Sequence, residues 1–201
     1  MRCFEDKNIT HVSGKVDPIG DAETIETELL LADIQTLEKQ YRKTEKIAKS
    51  GDKNNQLKFS LVSALLDHCN NGNKAKTYTE DIEEIEIIKK LNLLTFKPIL
   101  YVANVGESDV SENEASYFKN KLSEYAKKSD NISITLCSKL EQEIALLSED
   151  EKDIFLKEYE LSEQGLNKLI KSAFSLLELE TFFTAGPKEV RSWTIKKGTI
   201  A

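Results

Sequence analysis

An apolar run and a second short strand pattern, separated by one amphipathic stretch, constrain the fold of this chain more than any other feature of its sequence. Residues 99–103 form a near-continuous apolar run after Lys97-Pro98, which is typical of a parallel strand buried on both faces. A second strand is predicted over residues 132–136, and residues 112–128 between them carry apolar side chains on one helical face. Helical patterns then resume over residues 140–147, 150–159 and 165–177. Strand, helix and strand in this order predict parallel strands joined by a crossover, and therefore an α/β fold.

Each predicted strand ends in a polar loop. The first strand is followed by Asn104-Val105-Gly106-Glu107 and the second by Cys137-Ser138-Lys139. Ligands of parallel sheets bind beyond the carboxyl ends of the strands, so both loops lie where a ligand is expected. An ordinary polar turn is the alternative interpretation of the first loop. As a binding site, the loops would contact a purine base through Asn104, Val105, Glu107, Cys137, Ser138 and Lys139.

The first loop leaves the identity of the base open. Guanine offers two adjacent donors that one carboxylate can accept, and GTP-binding proteins place an Asp for this purpose at the end of an Asn-Lys-x-Asp loop. Here the fourth residue is Glu107, which is one methylene longer, and Val105 stands in place of the Lys. Adenine has an acceptor at N1 that a carboxylate repels. A displaced Glu107 would relax guanine selection and let backbone groups around Val105 bind adenine instead.

A long amphipathic helix is predicted ahead of the α/β part. Asp17-Pro18 and an acidic first turn open the helix, and Ser50-Gly51 supplies its stop. Apolar residues recur within it at alternating four and three spacing, which is typical of a coiled-coil seam. After the turn a second apolar face follows, which includes Leu57. The pattern predicts an antiparallel helical hairpin over residues 20–72.

Composition excludes several classes of protein. No stretch reaches the eighteen or so apolar residues of a membrane span, and residues 1–6 lack the apolar segment of a signal peptide, so a cytoplasmic location is expected. Three widely spaced cysteines without a Cys-x-x-Cys pair indicate neither a disulfide framework nor a zinc site, and no metal site is predicted. A net charge of −7 excludes a wholly basic nucleic-acid coat but allows a local basic patch.

Such a patch is found on the distal half of the first predicted helix and its turn. We name it the basic stripe. A solvated face with cations near a helix C-terminus is one interpretation, and an RNA or ribosome contact is the other. The stripe consists of Lys39, Arg42, Lys43, Lys46, Lys49 and Lys53.

Three long segments resemble the middle of the YchF / Obg-like ATPase family, within the Obg-related P-loop GTPases. The segments are RCFEDKNITHVSGKVDPIGDAETIETELLLADIQTLEK, LNLLTFKPILYVANVGE and LETFFTAGPKEVRSWTIKKGT. The resemblance implies a cytoplasmic NTPase in which a G domain is interrupted by a helical coiled-coil insertion and followed by a TGS domain. It also implies binding of ATP or GTP with Mg²⁺ and association with ribosomes. Cys137-Ser138-Lys139 departs from the family's Ser-Ala-Lys turn, but that turn acts mainly through its backbone.

The resemblance assigns four parts to the chain. They are a G-domain strand end and entry loop at 1–16, the coiled-coil insertion at 17–95, the C-terminal half of the G domain at 96–178, and a truncated TGS start at 179–201. Phe182, Phe183 and Trp193 are expected in the core of the TGS part, with a partner surface as the alternative.

The family's phosphate-binding Gly-x-x-x-x-Gly-Lys-Ser loop does not occur in residues 1–201. Its amides and Lys neutralise the triphosphate, and its Ser coordinates the metal. The sequence is therefore interpreted as an internal piece of a longer NTPase, with no catalytic residue in this chain and no tight nucleotide binding by it alone. The alternative is a non-catalytic module that binds RNA or protein.

Overall fold

The chain folds into two compact units. In this computed structural model, residues 1–6, 14–49, 52–110 and 116–200 are described. The α/β unit comprises Met1–Asp21 and Pro98–Ala201, and the helical unit comprises Ala22–Lys97. Each unit is considered by itself below.

The α/β unit contains a parallel pair of strands, as the order strand, helix, strand predicts. Strand β1 (Leu100–Asn104) pairs in parallel with strand β2 (Ile132–Leu136), and Asn104 lies opposite Leu136 at the carboxyl ends. Helix α4 (Tyr117–Lys128) joins the strands and contacts both of them. Residues 112–115 of the expected helix lie outside the described residues. The α/β class with a parallel sheet is thus confirmed.

The first residues of the chain extend this sheet along β1. The Met1 ammonium group donates to the carbonyl oxygen of Val102 at 2.7 Å. The Asn104 amide donates to the Met1 carbonyl at 2.9 Å, and the Cys3 amide donates to the Asn104 carbonyl at 2.8 Å. Both backbone groups of Asn104 are therefore held by the neighbouring segment, which orients its side chain at the sheet's end.

Three more helices follow β2 in the α/β unit. Their residues are Ser138–Ile144 (α5), Glu149–Glu158 (α6) and Gly165–Leu176 (α7). Helix α6 begins with a capping box in which Ser148 and Glu151 satisfy each other's backbone groups. Helix α7 packs on β2 and also contacts β1. The apolar faces of α4 and α5 bury Leu122, Ala126, Leu140 and Ile144.

The helical unit is built on two long helices. Helix α1 spans Pro18–Ala48 and helix α2 spans Lys53–Asn70, which begins after an N-cap at Asp52. A short 3₁₀ turn and helix α3 (Ile82–Lys89) complete it. Ser50 and Gly51, the expected stop, lie outside the described residues. The core of the unit consists of Leu37, Leu61, Val62, Leu65, Cys69, Ala75, Ile88, Leu91 and Leu93.

Side-chain contacts between α1 and α2 follow the predicted seam. The ring centroids of Tyr41 and Phe59 lie 5.1 Å apart, and Leu37 is fully buried in the same core cluster as Val62 and Leu65. Leu57, expected on the apolar face, is instead 59% exposed, because this position of α2 lies outside the covered face. The coiled-coil description of these helices stays a prediction.

A buried carboxylate fixes the segment that follows α3. Asp33 of α1 is 1% exposed and accepts hydrogen bonds from the amides of Leu94 and Thr95, both at 2.7 Å. Its Oδ2 also accepts from the Thr95 hydroxyl at 2.7 Å, and the same hydroxyl oxygen accepts from the Ala75 amide at 2.9 Å. One side chain therefore ties together segments about sixty residues apart in sequence.

The C-terminal strands form an antiparallel hairpin whose aromatic residues are exposed. Strand β3 (Leu179–Ala185) pairs with β4 (Val190–Lys196). The expectation of a buried aromatic core here is wrong, since Phe182, Phe183 and Trp193 are 38%, 70% and 45% exposed. The physical reason is that the two strands form a two-stranded sheet, and along most of its length the described residues supply no second layer to cover either face.

None of the helices in the described part of the chain combines the length and the apolar character that crossing a bilayer demands.

Candidate functional site

The two strand-end loops are joined by a side-chain hydrogen bond. Asn104 is the last residue of β1, and its Oδ1 accepts from the backbone amide of Ser138 at 2.9 Å. Ser138 is the first residue of α5, directly beyond β2. Parallel pairing brings the strand ends to one edge, and the short Asn side chain spans the remaining gap. The bond uses the amide oxygen, so the amide nitrogen is the atom able to donate to a ligand.

Val105 is a buried support of the loop. Its side chain is 1% exposed, and its backbone amide donates to the Leu136 carbonyl at 2.9 Å. Of the backbone groups around Val105 that were expected to bind adenine, the Val105 amide is therefore engaged within the sheet. Cys137 is also buried, at 3% exposure, and continues the chain from β2 into α5. These two residues contribute shape and backbone to the candidate site, and their side chains face the interior.

A second cross-link between the loops is ionic. The Lys139 ammonium group contacts the Glu107 carboxylate, and both side chains are partly exposed. Glu107 begins a 3₁₀ turn after β1, and Lys139 lies in the first turn of α5. The hydrogen bond to Glu107 raises the pKa of Lys139. The pKa of Tyr159 is raised, mainly by desolvation and secondly by the negative charge of Glu107.

Sequence reasoning missed the residues that hold α5 in place. The Glu141 carboxylate accepts from the amides of Gly165 at 2.7 Å and Leu166 at 3.0 Å, which caps the N-terminus of α7. Gly165 has no room for a side chain, because a Cβ there would lie 2.8 Å from both the Glu141 carboxylate and Leu136 Cβ. The hydrogen bond between Glu141 and Gly165 joins residues 24 apart in sequence, so a local sequence pattern cannot predict it.

A cavity of about 210 Å³ is lined by residues of β2, α5 and α7. Cys137 is the only one of the predicted base-contact residues among its lining residues in the described chain, and Lys119, Glu141 and Lys168 also border it. Its volume is below the roughly 300–1,000 Å³ of typical ligand pockets. The open edge with Asn104 and Ser138 is therefore the better candidate for a nucleotide base.

The basic stripe is placed on one exposed face of the helical unit. Each of its six residues is exposed, and the spacing of three and four between the α1 members puts them on neighbouring turns of one face. Lys49 forms an ion pair with Glu45 at 3.4 Å. The structure does not bring the stripe and the strand-end loops into one unit.

Within the described residues, no cluster of three or more His, Cys, Asp or Glu side chains could hold a metal ion. The three cysteines are buried as free thiols. Burial raises the pKa of the Cys3 and Cys69 thiols to about 11, which keeps both protonated near neutral pH.

Comparison with known proteins finds relatives along the whole chain. A protein of Bacillus subtilis (strain 168) named Ribosome-binding ATPase YchF is 47% identical over 201 residues, which is 100% of this chain and 55% of that protein. A protein of the same name from Haemophilus influenzae is 40% identical over the same length, or 54% of that protein. This chain therefore spans about half the length of these relatives.

A solved structure is similar as well. The YchF GTPase of Schizosaccharomyces pombe matches with a TM-score of 0.84 and 29% identity, covering 100% of this chain and 55% of that one. No protein-family model matches the chain. The structural match extends over the whole chain and supports the α/β fold with a parallel sheet.

Proposed function

We propose, from the premise that this chain belongs to the YchF family, that it is an internal segment of a longer ribosome-associated, cytoplasmic NTPase. The parent would bind and hydrolyse ATP or GTP. This segment would supply base recognition and a helical hairpin for partner binding. Its parts would be a G-domain strand end at 1–16, a coiled-coil insertion at 17–95, the rest of the G domain at 96–178 and the start of a TGS domain at 179–201.

The hydrogen bond between Asn104 and Ser138 is the observation that carries base recognition. It holds the Asn104 side chain at the carboxyl edge of the sheet with its amide nitrogen available as a donor. Adenine and guanine both present an acceptor at N7, so one amide can bind either purine. Asn104 would then contact the base, and Ser138 would orient Asn104.

The residues present do not fit a Mg²⁺ triphosphate site. The described part of the chain has no metal-binding cluster, and the sequence has no Gly-x-x-x-x-Gly-Lys-Ser loop. We therefore assign phosphate binding, Mg²⁺ and catalysis to sequence outside these 201 residues. We expect this chain alone to bind nucleotide weakly and to be inactive.

Asn104→Asp in the full-length gene product tests base recognition. The carboxylate still accepts from the Ser138 amide but cannot donate to N7, so ATP affinity should fall at least about tenfold with an unchanged melting temperature. Calorimetric titration measures the affinity. Asn120→Ala, at an exposed asparagine of α4, is the matched control and should bind as the wild type does. Wild-type affinity in a folded Asn104→Asp protein would remove Asn104 from the site.

A second function, binding of RNA, is favoured by the basic stripe. Its members share one exposed helical face, which suits contacts to successive phosphates. Part of the stripe also lies in the last turns of α1, where cations are favourable in any solvated helix. In the parent NTPase, the RNA contact would serve ribosome association. If the protein binds no nucleotide, the same contact would instead make it a non-catalytic interaction module.

Replacing Lys39, Lys43 and Lys46 with glutamine should weaken ribosome binding. The slope of log affinity against log salt concentration is negative for phosphate contacts. Loss of three such contacts should reduce its magnitude by roughly two to three. Cosedimentation with ribosomes at several salt concentrations measures this slope. The control carries the same change at three exposed lysines of the α/β unit, Lys127, Lys128 and Lys157. Equal losses in both variants would indicate a general charge effect and contradict a specific contact.

A further inference from the structure

The ion pair between Lys139 and Glu107 lies next to the hydrogen bond that positions Asn104. Ser138, which donates to Asn104, is the residue before Lys139, and Glu107 lies three residues after Asn104. The two loops are thus joined twice, once by a neutral hydrogen bond and once by opposite charges. Glu107 is the residue at the position where a guanine-reading carboxylate is expected.

The ion pair with Lys139 limits the ability of the Glu107 carboxylate to accept hydrogen bonds from a base. Guanine presents the ring N1–H and the exocyclic amine as adjacent donors, and a carboxylate that accepts both must face the base. In the structure, that carboxylate is in contact with an ammonium group. Guanine must therefore compete with Lys139 for the oxygens of Glu107. A purine that is bound without a carboxylate, such as adenine, does not compete with Lys139 for Glu107.

Adenine has the opposite requirement. Its N1 is an acceptor, which a bare carboxylate would repel and an ammonium group would attract. Lys139 neutralises Glu107 and also brings a donor to the same edge of the sheet. The negative charge of Glu143 acts on Lys139 as well, so loss of Lys139 would leave this part of the site acidic.

We propose that the Lys139–Glu107 ion pair determines base preference, by engaging the carboxylate that guanine needs and supplying a cation that adenine tolerates. The inference rests on the proposed function, because it requires the base to bind at this edge. Lys139 acts as a specificity-determining residue and has no part in phosphoryl transfer. Exposed ion pairs contribute little to stability, so the pair can be removed without unfolding the protein.

The test is Lys139→Met in the full-length gene product, titrated calorimetrically with ADP and with GDP so that hydrolysis does not interfere. The ratio of Kd for GDP to Kd for ADP should fall about tenfold, because Glu107 becomes free to accept from guanine. Lys139→Arg keeps the cation and should keep the wild-type ratio. Lys139→Gln is a second neutral variant for use if methionine lowers the melting temperature.

Lys89→Met is the matched control. Lys89 forms a comparable exposed ion pair with Glu86 at 2.7 Å on α3 in the helical unit, and its loss should leave both affinities unchanged. A wild-type ratio in folded Lys139→Met and Lys139→Gln would overturn the inference and leave base binding in place. A wild-type protein that binds neither ADP nor GDP would instead overturn the proposed function, and the inference with it.

Discussion

Asp33→Ala should lower the free energy of unfolding of the helical unit by about 3–5 kcal/mol, the largest stability effect expected in this chain. The variant removes an acceptor that serves the Leu94 amide and both the amide and the hydroxyl of Thr95. The two Thr95 donors are buried, so water cannot readily replace the carboxylate there, and the Leu94 amide is partly buried. Each hydrogen bond to a charged group is worth about 1.5–3 kcal/mol, and unsatisfied buried donors add a penalty.

Urea denaturation of the 201-residue chain measures the loss, and hydrogen exchange at the Leu94 and Thr95 amides assigns it to this network. Asp33→Asn should lose less than the alanine variant, because one oxygen remains while the new NH₂ group faces existing donors. Glu38→Ala removes an exposed carboxylate from the same helix and should change stability by less than about 0.5 kcal/mol. A loss below about 1 kcal/mol in Asp33→Ala would show that Asp33 does not hold this segment.

Gly165→Val should destabilise the α/β unit by roughly 3 kcal/mol, near the upper end of typical overpacking effects. Already the first carbon of the new side chain would lie 2.8 Å from Leu136 Cβ, which sits on a strand and cannot swing away. The same carbon would approach the Glu141 carboxylate and disturb its hydrogen bonds to the amides that begin α7. Both effects push α7 away from β2.

Thermal unfolding followed by circular dichroism measures this change. Gly186→Val is the matched control, because a Cβ there has only the Glu189 carbonyl within 4 Å, at 3.7 Å. Its effect should remain below about 1 kcal/mol. Similar losses at both glycines would contradict the close approach at Gly165 as the cause. Gly165→Ala should be intermediate, since it adds the clashing carbon without the branches.

Local patterns were sufficient to place the elements around the candidate site. The apolar run at 99–103 and the short strand pattern at 132–136, each ended by polar residues, predict β1 and β2 within about one residue. The start of α1 at Pro18 follows from proline's fixed backbone angle and the acidic first turn. The adjacency of Asn104 and Ser138 follows from parallel pairing of the predicted strands.

The expected burial of the C-terminal aromatic residues was wrong, because an apolar side chain is buried only where another element packs against it. Phe182 and Trp193 face each other across the β3–β4 hairpin and remain exposed, since burial needs a second layer. Backbone groups around Val105 were expected to bind adenine, and this stays a prediction. The Val105 amide itself donates to the Leu136 carbonyl, one residue beyond the end of β1.

The sequence by itself determined the two long helices and the two parallel strands, and which polar residues end those strands, since these depend on neighbours a few residues apart. Tertiary structure alone decided that Lys139 contacts Glu107, that Asp33 binds the segment at Thr95, and that Gly165 lies against Leu136. Each of these contacts joins residues more than twenty positions apart. Their partners are selected by how helices and strands pack, which no short-range pattern in the chain encodes.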